Sequence, residues 1–316
     1  MNKQKGQVVI LLLLIMVVAL AIGLSTIGRS ILEVSTSRKS EDSSRAFSAA
    51  EASIERAMKA NENTLSSGNP ISVGDFTSIN QVKGSVQSGN LPLNQNALSY
   101  EPFDKSNFAQ FWLANPDTLV RSYEGQTFEI YFGDTDTSKY FTVNPSDLDK
   151  QPGIEVTIIY WDGTSGENKY KAIRRYYDSR QSTPGIYAVR NNYPYCDSPT
   201  LPYPSITVDD GYGASNPKSY YCKVTVNLND SPGFPGFTNS ATIYPIMARV
   251  RLLFTAIAHP VALKPTGAFF LPKQGNIYHS AGTSGDVKRT LELKNYRAVM
   301  PFFFDYVLFS ANNLAK

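Results

Sequence analysis

The strongest constraint in this 316-residue sequence is a run of uncharged residues from Val8 to Gly28. As a helix the run would be about 32 Å long at about 1.5 Å per residue, which is enough to cross a bilayer once. Lys3 and Lys5 precede the run and Arg29 ends it, and basic residues before a span favour a cytoplasmic N-terminus. No later stretch is comparably apolar. The sequence therefore predicts a single span in the membrane, with the C-terminal domain outside the cytoplasm.

The helical pattern continues beyond the uncharged run. Between Arg29 and Ala60 there is no Pro and no Gly. Five apolar side chains in the second part of this segment recur at steps of three and four residues, as on one face of a helix. They are Phe47, Ala50, Ile54, Ala57 and Met58. We therefore expect one helix from Gln7 to Ala60, about 80 Å long, whose first half suits lipid and whose second half packs under a folded domain.

Three kinds of processing fit this N-terminus. Ala19-Leu20-Ala21 is similar to the small-residue cleavage site of a secretory signal, which would release the protein with Ile22 first. An uncleaved anchor would keep Met1, and removal of a short basic leader would cut after Gly6. The helical pattern favours the leader, because a signal peptide has no reason to run on into an unbroken helix.

A short basic leader, a glycine, an uncharged run and one long helix together resemble a type IV prepilin. The segment Arg45–Glu55 is similar to the AF-x-AAEA stretch of minor pilins with a PilX-type N-terminal region. The tail Phe303–Ser310 also resembles the end of pilus-assembly proteins with that region. The resemblance is strong over residues 1–60, and between those residues and the tail it is only architectural.

The resemblance implies a processing site and a set of partners. In that family a prepilin peptidase cuts after the glycine and the new N-terminus is methylated, which here places both events at Gly6 and Gln7. The implied protein is a non-enzymatic structural subunit without a cofactor. Its partners would be the prepilin peptidase, the membrane and other pilin subunits, which it would contact through the N-terminal helix.

Two positions depart from major pilins, which have an aromatic residue at mature position one and Glu at mature position five. This chain has Gln7 and Leu11 at those positions. The Glu is thought to meet the amino terminus of a neighbouring subunit. The chain is therefore more similar to minor pilins and tip pseudopilins, which implies a role at the tip or in initiation.

The remainder of the chain predicts an α+β fold, in which the long N-terminal helix packs on an antiparallel β-rich globular domain. Residues 1–6 form the leader, residues 61–100 form a linking region rich in Asn, Ser and Gly, and residues 101–316 form the β-rich domain. β-prone, partly alternating segments indicate its strands. They are Thr127–Phe132, Lys139–Val143, Ile154–Trp161, Tyr170–Tyr177, Tyr221–Leu228, Ile246–Ala258, Ala262–Leu271, Lys288–Leu293 and Phe302–Phe309.

Cys196 and Cys222 are the only cysteines in the chain. An even number outside the cytoplasm favours a disulfide, and a bridge closing about 26 residues would stabilise the fold by roughly 3–4 kcal/mol. The alternative is two unrelated buried thiols.

The sequence contains little that indicates catalysis or metal binding. It has two His and two Cys, which argues against a His/Cys metal cluster, and it lacks the G-x-S-x-G and phosphate-loop motifs. Asp134 and Asp136 imitate the start of a calcium loop, but Lys139 stands where such a loop has Gly. His259 and His279 are expected in loops or at the surface.

The basic and aromatic residues leave two further hypotheses. Arg174, Arg175, Arg249 and Arg251 could form a basic face for DNA, but the last two alternate with apolar residues, as on the solvent face of a sheet. Loss of Lys3 and Lys5 would lower the net charge from +3 to +1, so no specific nucleic acid is expected. The Tyr-rich loops between residues 193 and 221 keep open an alternative function, a membrane-anchored or released adhesin for a glycan or a surface.

Overall fold

The computed structural model describes residues 5–59, 71–72, 76–77, 82–92, 96–136, 152–166, 169–179, 204–209, 215–231 and 234–297. A long N-terminal helix, α1 (Lys5–Lys59), is followed by strands that pair antiparallel. The strands are β1 (Ile71–Ser72), β2 (Phe76–Thr77), β3 (Lys83–Leu91), β4 (Leu98–Phe103), β5 (Phe108–Trp112), β6 (Thr127–Phe132), β7 (Gly153–Asp162), β8 (Tyr170–Asp178), β9 (Ser205–Asp209), β10 (Ser215–Ser219), β11 (Cys222–Asn227), β12 (Asp230–Ser231), β13 (Phe234–Pro235), β14 (Ile243–Leu253), β15 (His259–Pro265), β16 (Gly275–Ser284) and β17 (Val287–Tyr296). The predicted α+β class, a long helix with an antiparallel β-rich domain, is confirmed.

The chain divides into two compact units. We call residues 1–64, 70–88 and 278–293 the helix unit, and residues 65–69, 89–277 and 294–316 the strand unit. The helix unit contains α1, β1, β2, most of β3 and the parts of β16 and β17 between residues 278 and 293. These strands belong to a sheet in the order β1-β3-β16-β17, with β2 also paired to β3.

The strand unit contains two four-stranded sheets, with the orders β11-β6-β15-β4 and β5-β14-β7-β8. One cluster of buried apolar side chains draws members from both sheets, so the two sheets share a core. The side chains of this cluster include Phe111, Phe128, Ile130, Phe132, Ile154, Val156, Ile158, Val224, Val250 and Leu263. Burial of this many large side chains, each contributing about 1.5–3 kcal/mol, makes this cluster the main core of the strand unit.

Strand β6 shows how the sequence selects the core face. Phe128, Ile130 and Phe132 alternate along it and are fully buried, because successive side chains of a strand point to opposite faces. On the other face the carboxylate of Glu129 lies 3.2 Å from the ammonium of Lys223 and accepts a 2.7 Å hydrogen bond from the hydroxyl of Tyr131.

Strand β14 departs from simple alternation, because it is buried on both faces from Pro245 to Val250. Arg249 is only 3% exposed and its guanidinium lies 4.0 Å from the ring centre of Phe108. The expectation that Arg249 faces solvent is therefore wrong, whereas Arg251 is exposed.

Several predicted strands agree with the structure and others differ. The hairpin of β7 and β8 is confirmed, with Ile154 opposite Tyr177 and Trp161 opposite Tyr170. β14 ends at Leu253 and β15 begins at His259, so the predicted strands 246–258 and 262–271 are displaced. β16 was not predicted, and the segment 61–100, expected to be mainly a linking region, contributes β1, β2, β3 and part of β4. The predicted strands 139–143 and 302–309 lie outside the described residues.

Candidate membrane and assembly helix

The first half of α1 exposes all of its large apolar side chains. From Val9 to Val34 these side chains are between 50% and 70% exposed. By length and composition this helix is apolar enough to cross a membrane, and the predicted span Val8–Gly28 lies within it. Exposed apolar surface of this extent calls for lipid or a protein partner.

The polar groups within the apolar half are partly satisfied by the helix itself. The hydroxyl of Thr26 donates to the carbonyl oxygens of Gly23, at 2.8 Å, and Ile22, at 3.2 Å. Hydrogen bonds of this kind let a hydroxyl enter hydrocarbon without an unsatisfied donor. Gly23 and Gly28 remain helical, although glycine costs about 1 kcal/mol in a helix interior.

The predicted cleavage bond between Gly6 and Gln7 lies at the start of α1, which begins at Lys5. The bond and the apolar run therefore belong to one uninterrupted helix of 55 residues. Cleavage and methylation themselves stay predictions.

The second half of α1 packs on the sheet of the helix unit through small side chains. Ala46, Ala50, Ser53 and Ala57 are fully buried and recur at steps of four, three and four residues, which places them on one face. We call them the small-residue stripe. The sheet meets this stripe with small residues as well, since Gly84 lies against Ala49 and Ser53, and Gly282 lies against Ala46 and Ala50.

The buried face differs from the predicted one. Of the predicted apolar stripe only Ala50 and Ala57 are fully buried, while Phe47 is 42% and Met58 is 47% exposed. Large side chains cannot occupy the helix face where it meets the glycines of the sheet, so Phe47 and Met58 lie beside the contact. The alternation of small residues at 280, 282 and 284 was the signal that could have revealed this surface.

Hydrogen bonds fix the helix to the sheet at several levels. The hydroxyl of Ser280 donates to the carbonyl oxygen of Ala50 at 2.8 Å. The hydroxyl of Ser284 donates to a carboxylate oxygen of Asp42, also at 2.8 Å. The guanidinium of Arg289 donates to the hydroxyl of Ser43 at 2.9 Å. Since each bond has one partner on α1 and one on a strand, together they define the axial position of the helix.

Two ion pairs along the exposed side of α1 follow helical spacing. Arg45 lies 2.5 Å from Glu41, and Lys59 lies 2.6 Å from Glu55. The hydrogen bond from Lys59 lowers the pKa of Glu55. Exposed pairs at this spacing contribute little to stability.

The remaining candidate residues are not part of α1. Cys222 is fully buried in the strand-unit core and takes part in a disulfide. Its predicted partner Cys196 lies outside the described residues, so the pairing stays a prediction.

Neither histidine matches its expected place. His259 is fully buried at the start of β15, with its Nε2 3.2 Å from the hydroxyl of Thr255. His279 lies within β16, 3.6 Å from a carboxylate oxygen of Glu292. The expectation of loop or surface histidines is therefore wrong.

The candidate calcium loop begins as a turn, in which Asp134 accepts a 3.0 Å hydrogen bond from the backbone of Asp136. Among the described residues, no group of three or more His, Cys, Asp or Glu side chains is placed to hold a metal ion.

The arginines and tyrosines singled out as binding surfaces are largely buried where they are described. Arg175 is 2% exposed and, like Arg249, is unavailable to DNA. Of the Tyr-rich loops the described members are Tyr220 and Tyr221, both buried, and the hydroxyl of Tyr220 donates to that of Ser99 at 2.7 Å.

No family model matches this chain. Neither the curated proteins nor the solved structures contain a match to it.

Proposed function

We propose that this chain is a non-enzymatic, minor pilin-like subunit of a type IV pilus or a related secretion filament. The observation that supports the proposal best is the uninterrupted helix α1 (Lys5–Lys59), whose first half is apolar and exposed and whose second half is packed on a sheet. A cleaved signal or a simple anchor requires only the apolar half. A continuous helix that carries its own folded unit is what assembly through the helix requires.

In the proposed mechanism the helix first crosses the membrane once, through Val8–Gly28, with the C-terminal domain outside the cytoplasm. Prepilin peptidase removes residues 1–6, and the amino group of Gln7 is methylated. The subunit then enters a filament in which contacts with the helices of other pilin subunits replace contacts with lipid. Because lipid is as apolar as leucine, this exchange depends on close packing between helices.

The rigid attachment of α1 to its sheet supports this mechanism. Ser280 and Ser284 bond to the helix at Ala50 and Asp42, about 12 Å apart along its axis at about 1.5 Å per residue. A helix held at points this far apart can transmit an axial displacement to its folded unit. Extraction from the membrane during assembly needs such a connection.

The mature N-terminus tests the proposal. The full-length chain is expressed together with an active prepilin peptidase, under conditions that allow methylation of the new N-terminus. The mature N-terminus is then determined by intact-mass measurement and sequencing. We expect N-methylated Gln7, and we expect Gly6→Leu to retain Met1. Ala21→Leu alters only the secretory-type site and should leave Gln7 as the first residue.

The other N-termini identify the alternatives. Ile22 would indicate a released protein, such as the adhesin considered above, and Met1 in the wild-type chain would indicate a simple anchor. Either result would contradict the pilin-like assignment.

A further inference from the structure

Three large apolar side chains of α1 lie beyond the charge that ends the uncharged run. They are Ile31, Leu32 and Val34, which are 64%, 67% and 51% exposed. Arg29 precedes them, and the proposed span Val8–Gly28 is already long enough to fill the hydrocarbon core of a bilayer. Ile31 and Val34 would lie about 4.5 and 9 Å beyond the end of this span, at about 1.5 Å per residue. Outside hydrocarbon, such side chains are stabilised by contact with other apolar groups.

The folded part of the helix unit does not supply this contact. Every side chain of α1 from Leu24 to Glu41 is exposed. Asp42, which is bonded to Ser284 on the sheet, lies about 12 Å beyond Val34 along the helix axis. Ile31 and Val34 are therefore bare in the single chain.

Ile31 and Val34 continue an apolar face that starts inside the span. Leu24, Ile27, Ile31 and Val34 follow one another at steps of three, four and three residues, which places them on one side of the helix. We call these four residues the seam. Alternating steps of three and four residues are the spacing at which two parallel helices interlock their apolar side chains. Leu32 is not part of the seam, because it lies about 100° around the helix from Ile31.

The residues that flank the seam are small and uncharged. Gly28 and Ser35 lie on one side of it, and Ser30 and Ser37 lie on the other. In pairs of parallel helices, charges at flanking positions select the partner and repel an identical copy when the charges are alike. Here two identical copies would bring no like charges together at these positions. Small side chains also let two helix backbones approach closely, so the face is complementary to itself.

The seam ends at Arg38, which follows Val34 at the next step of four residues. Two identical helices in register would place these arginines opposite each other, and like charges in contact are unfavourable. The contact should therefore stop before Arg38. The attachment of α1 to its sheet at Asp42 lies about one turn farther, so each copy would keep its own sheet beyond the end of the contact.

We propose that the seam binds a second copy of this chain, in a parallel pair of helices that cover each other's Ile31 and Val34. Both copies cross the membrane in the same direction through the same span. Each seam residue therefore meets its counterpart at the same level, as in a symmetric dimer. The pair requires the membrane span but neither cleavage after Gly6 nor a filament, so it can fail or hold independently of the pilin-like assignment.

Cysteine cross-linking of the full-length chain tests the pair in membranes. The variants are expressed in cells that lack a prepilin peptidase, so that neither cleavage nor filament assembly occurs. Ile31→Cys and Val34→Cys place thiols in the seam, whereas Leu32→Cys and Thr36→Cys place them at the same level on other faces. After mild oxidation, we expect the seam variants to form at least about fivefold more disulfide-linked dimer than the other two. The wild-type chain, whose Cys222 is already in a disulfide, should form none.

A second measurement does not depend on added thiols. Sedimentation equilibrium in density-matched detergent gives the dissociation constant of the dimer. Ile31→Ser should raise this constant by at least about tenfold, because each copy contributes one Ile31 to the apolar contact. Leu32→Ser removes an equally exposed apolar side chain and should change the constant by less than about twofold. Both side chains are exposed in the single chain, so neither change should impair folding.

Three outcomes would overturn the proposal. Equal cross-linking at all four positions would indicate random collision in the membrane. Stronger cross-linking at Leu32 or Thr36 would place the contact on another face of the helix. Absence of dimer from every variant, together with a monomeric wild-type chain in detergent, would indicate that lipid headgroups or a different protein cover Ile31 and Val34.

Discussion

Gly282 lies so close to the backbone of Ala46 that a Cβ atom on Gly282 would overlap the carbonyl oxygen of Ala46. The same Cβ would come within 2.8 Å of the amide nitrogen of Ala50. Gly84 has a similar relationship to the helix, because a Cβ atom added to Gly84 would lie 2.7 Å from the carbonyl oxygen of Ala49. Two glycines on neighbouring strands therefore allow the helix to approach the sheet at backbone distance.

Substitution of Gly282 should detach this part of the helix from the sheet. We expect Gly282→Ala to destabilise the contact by about 1–3 kcal/mol, as overpacking of a filled interior does. Hydrogen–deuterium exchange measures the effect, and the amides of residues 42–59 should exchange faster in the variant. Because the apolar half of α1 has no contact with the sheet, exchange in residues 9–28 should stay unchanged.

A second glycine provides the control for this experiment. No atom lies within 4 Å of a Cβ atom built on Gly166, so Gly166→Ala should leave the exchange of residues 42–59 at its wild-type rate. Unchanged exchange in Gly282→Ala would show that the helix and sheet can separate slightly without loss of stability.

The predicted disulfide should stabilise the strand unit. We expect the double variant Cys196→Ala and Cys222→Ala to lose roughly 3–4 kcal/mol, the loss expected in the chain-entropy account for a loop of about 26 residues. Denaturant unfolding followed by the fluorescence of Trp112 and Trp161 measures this loss, since both tryptophans lie in the strand unit. Two alkylated thiols in the native, unreduced protein would contradict the pairing.

The turn of the β7–β8 hairpin should make stability depend on acidic pH. The carboxylate of Asp162 accepts hydrogen bonds from Lys171, at 2.5 Å, from the backbone and hydroxyl of Thr164, at 3.0 and 2.5 Å, and from the hydroxyl of Ser165, at 2.9 Å. The bond from Lys171, followed by those from Thr164 and Ser165, lowers the pKa of Asp162 from 3.8. A depressed pKa stabilises the fold above the unfolded value and loses this contribution as the pH falls through the folded value.

The measurement is the melting temperature between about pH 7 and pH 2. Asp162→Asn should melt at a lower temperature than wild type at pH 7, and its melting temperature should fall less steeply below about pH 4, where the unfolded aspartate binds a proton. Glu124→Gln, at an exposed carboxylate 3.8 Å from Arg121, should keep the wild-type slope. Parallel curves for Asp162→Asn and wild type would show that this carboxylate has the same pKa in both states.

The elements that could be predicted are those whose signal is local. The uncharged run and the absence of Pro and Gly from residue 29 to residue 60 predicted α1, and the alternation in β6 predicted its bounds. The hairpin of β7 and β8 could also be predicted, because two β-prone segments flank a short loop that contains glycines.

The surface that receives the helix was not predicted, because apart from the alternation of small residues at 280, 282 and 284 it depends on residues far apart in sequence. β16 has Ser280, Gly282 and Ser284 in place of the β-branched residues typical of a strand, and it is a strand because β3 and β17 flank it. The buried face of α1 likewise follows from Gly84 and Gly282, so the apolar pattern that includes Phe47 and Met58 indicated the neighbouring face. Nothing within the helix sequence alone distinguishes the two faces.

A final prediction concerns the position of the proposed subunit in a filament, and it follows from Leu11. After cleavage the methylated amine of Gln7 would carry a positive charge into a bundle of apolar helices, where an unpaired charge is costly. In major pilins, a Glu at mature position five is expected to meet that amine. In this chain the same position is Leu11, which has no polar group. Glu33 is the first carboxylate along α1, about 40 Å from Gln7 at about 1.5 Å per residue.

This subunit should therefore occupy positions where few neighbours require such a pair, and we expect a low copy number at or near the tip. Quantitative mass spectrometry of sheared filaments measures its abundance relative to the dominant subunit. Leu11→Glu supplies the missing carboxylate and should raise the abundance, despite the cost of placing a charged residue within the apolar span. Leu11→Gln matches the size without the charge and should not raise it, because the argument depends on the neutralisation of the amine. If the wild-type chain were the dominant subunit, Leu11 would not limit its position, and the charge of the amine would have to be balanced elsewhere in the filament.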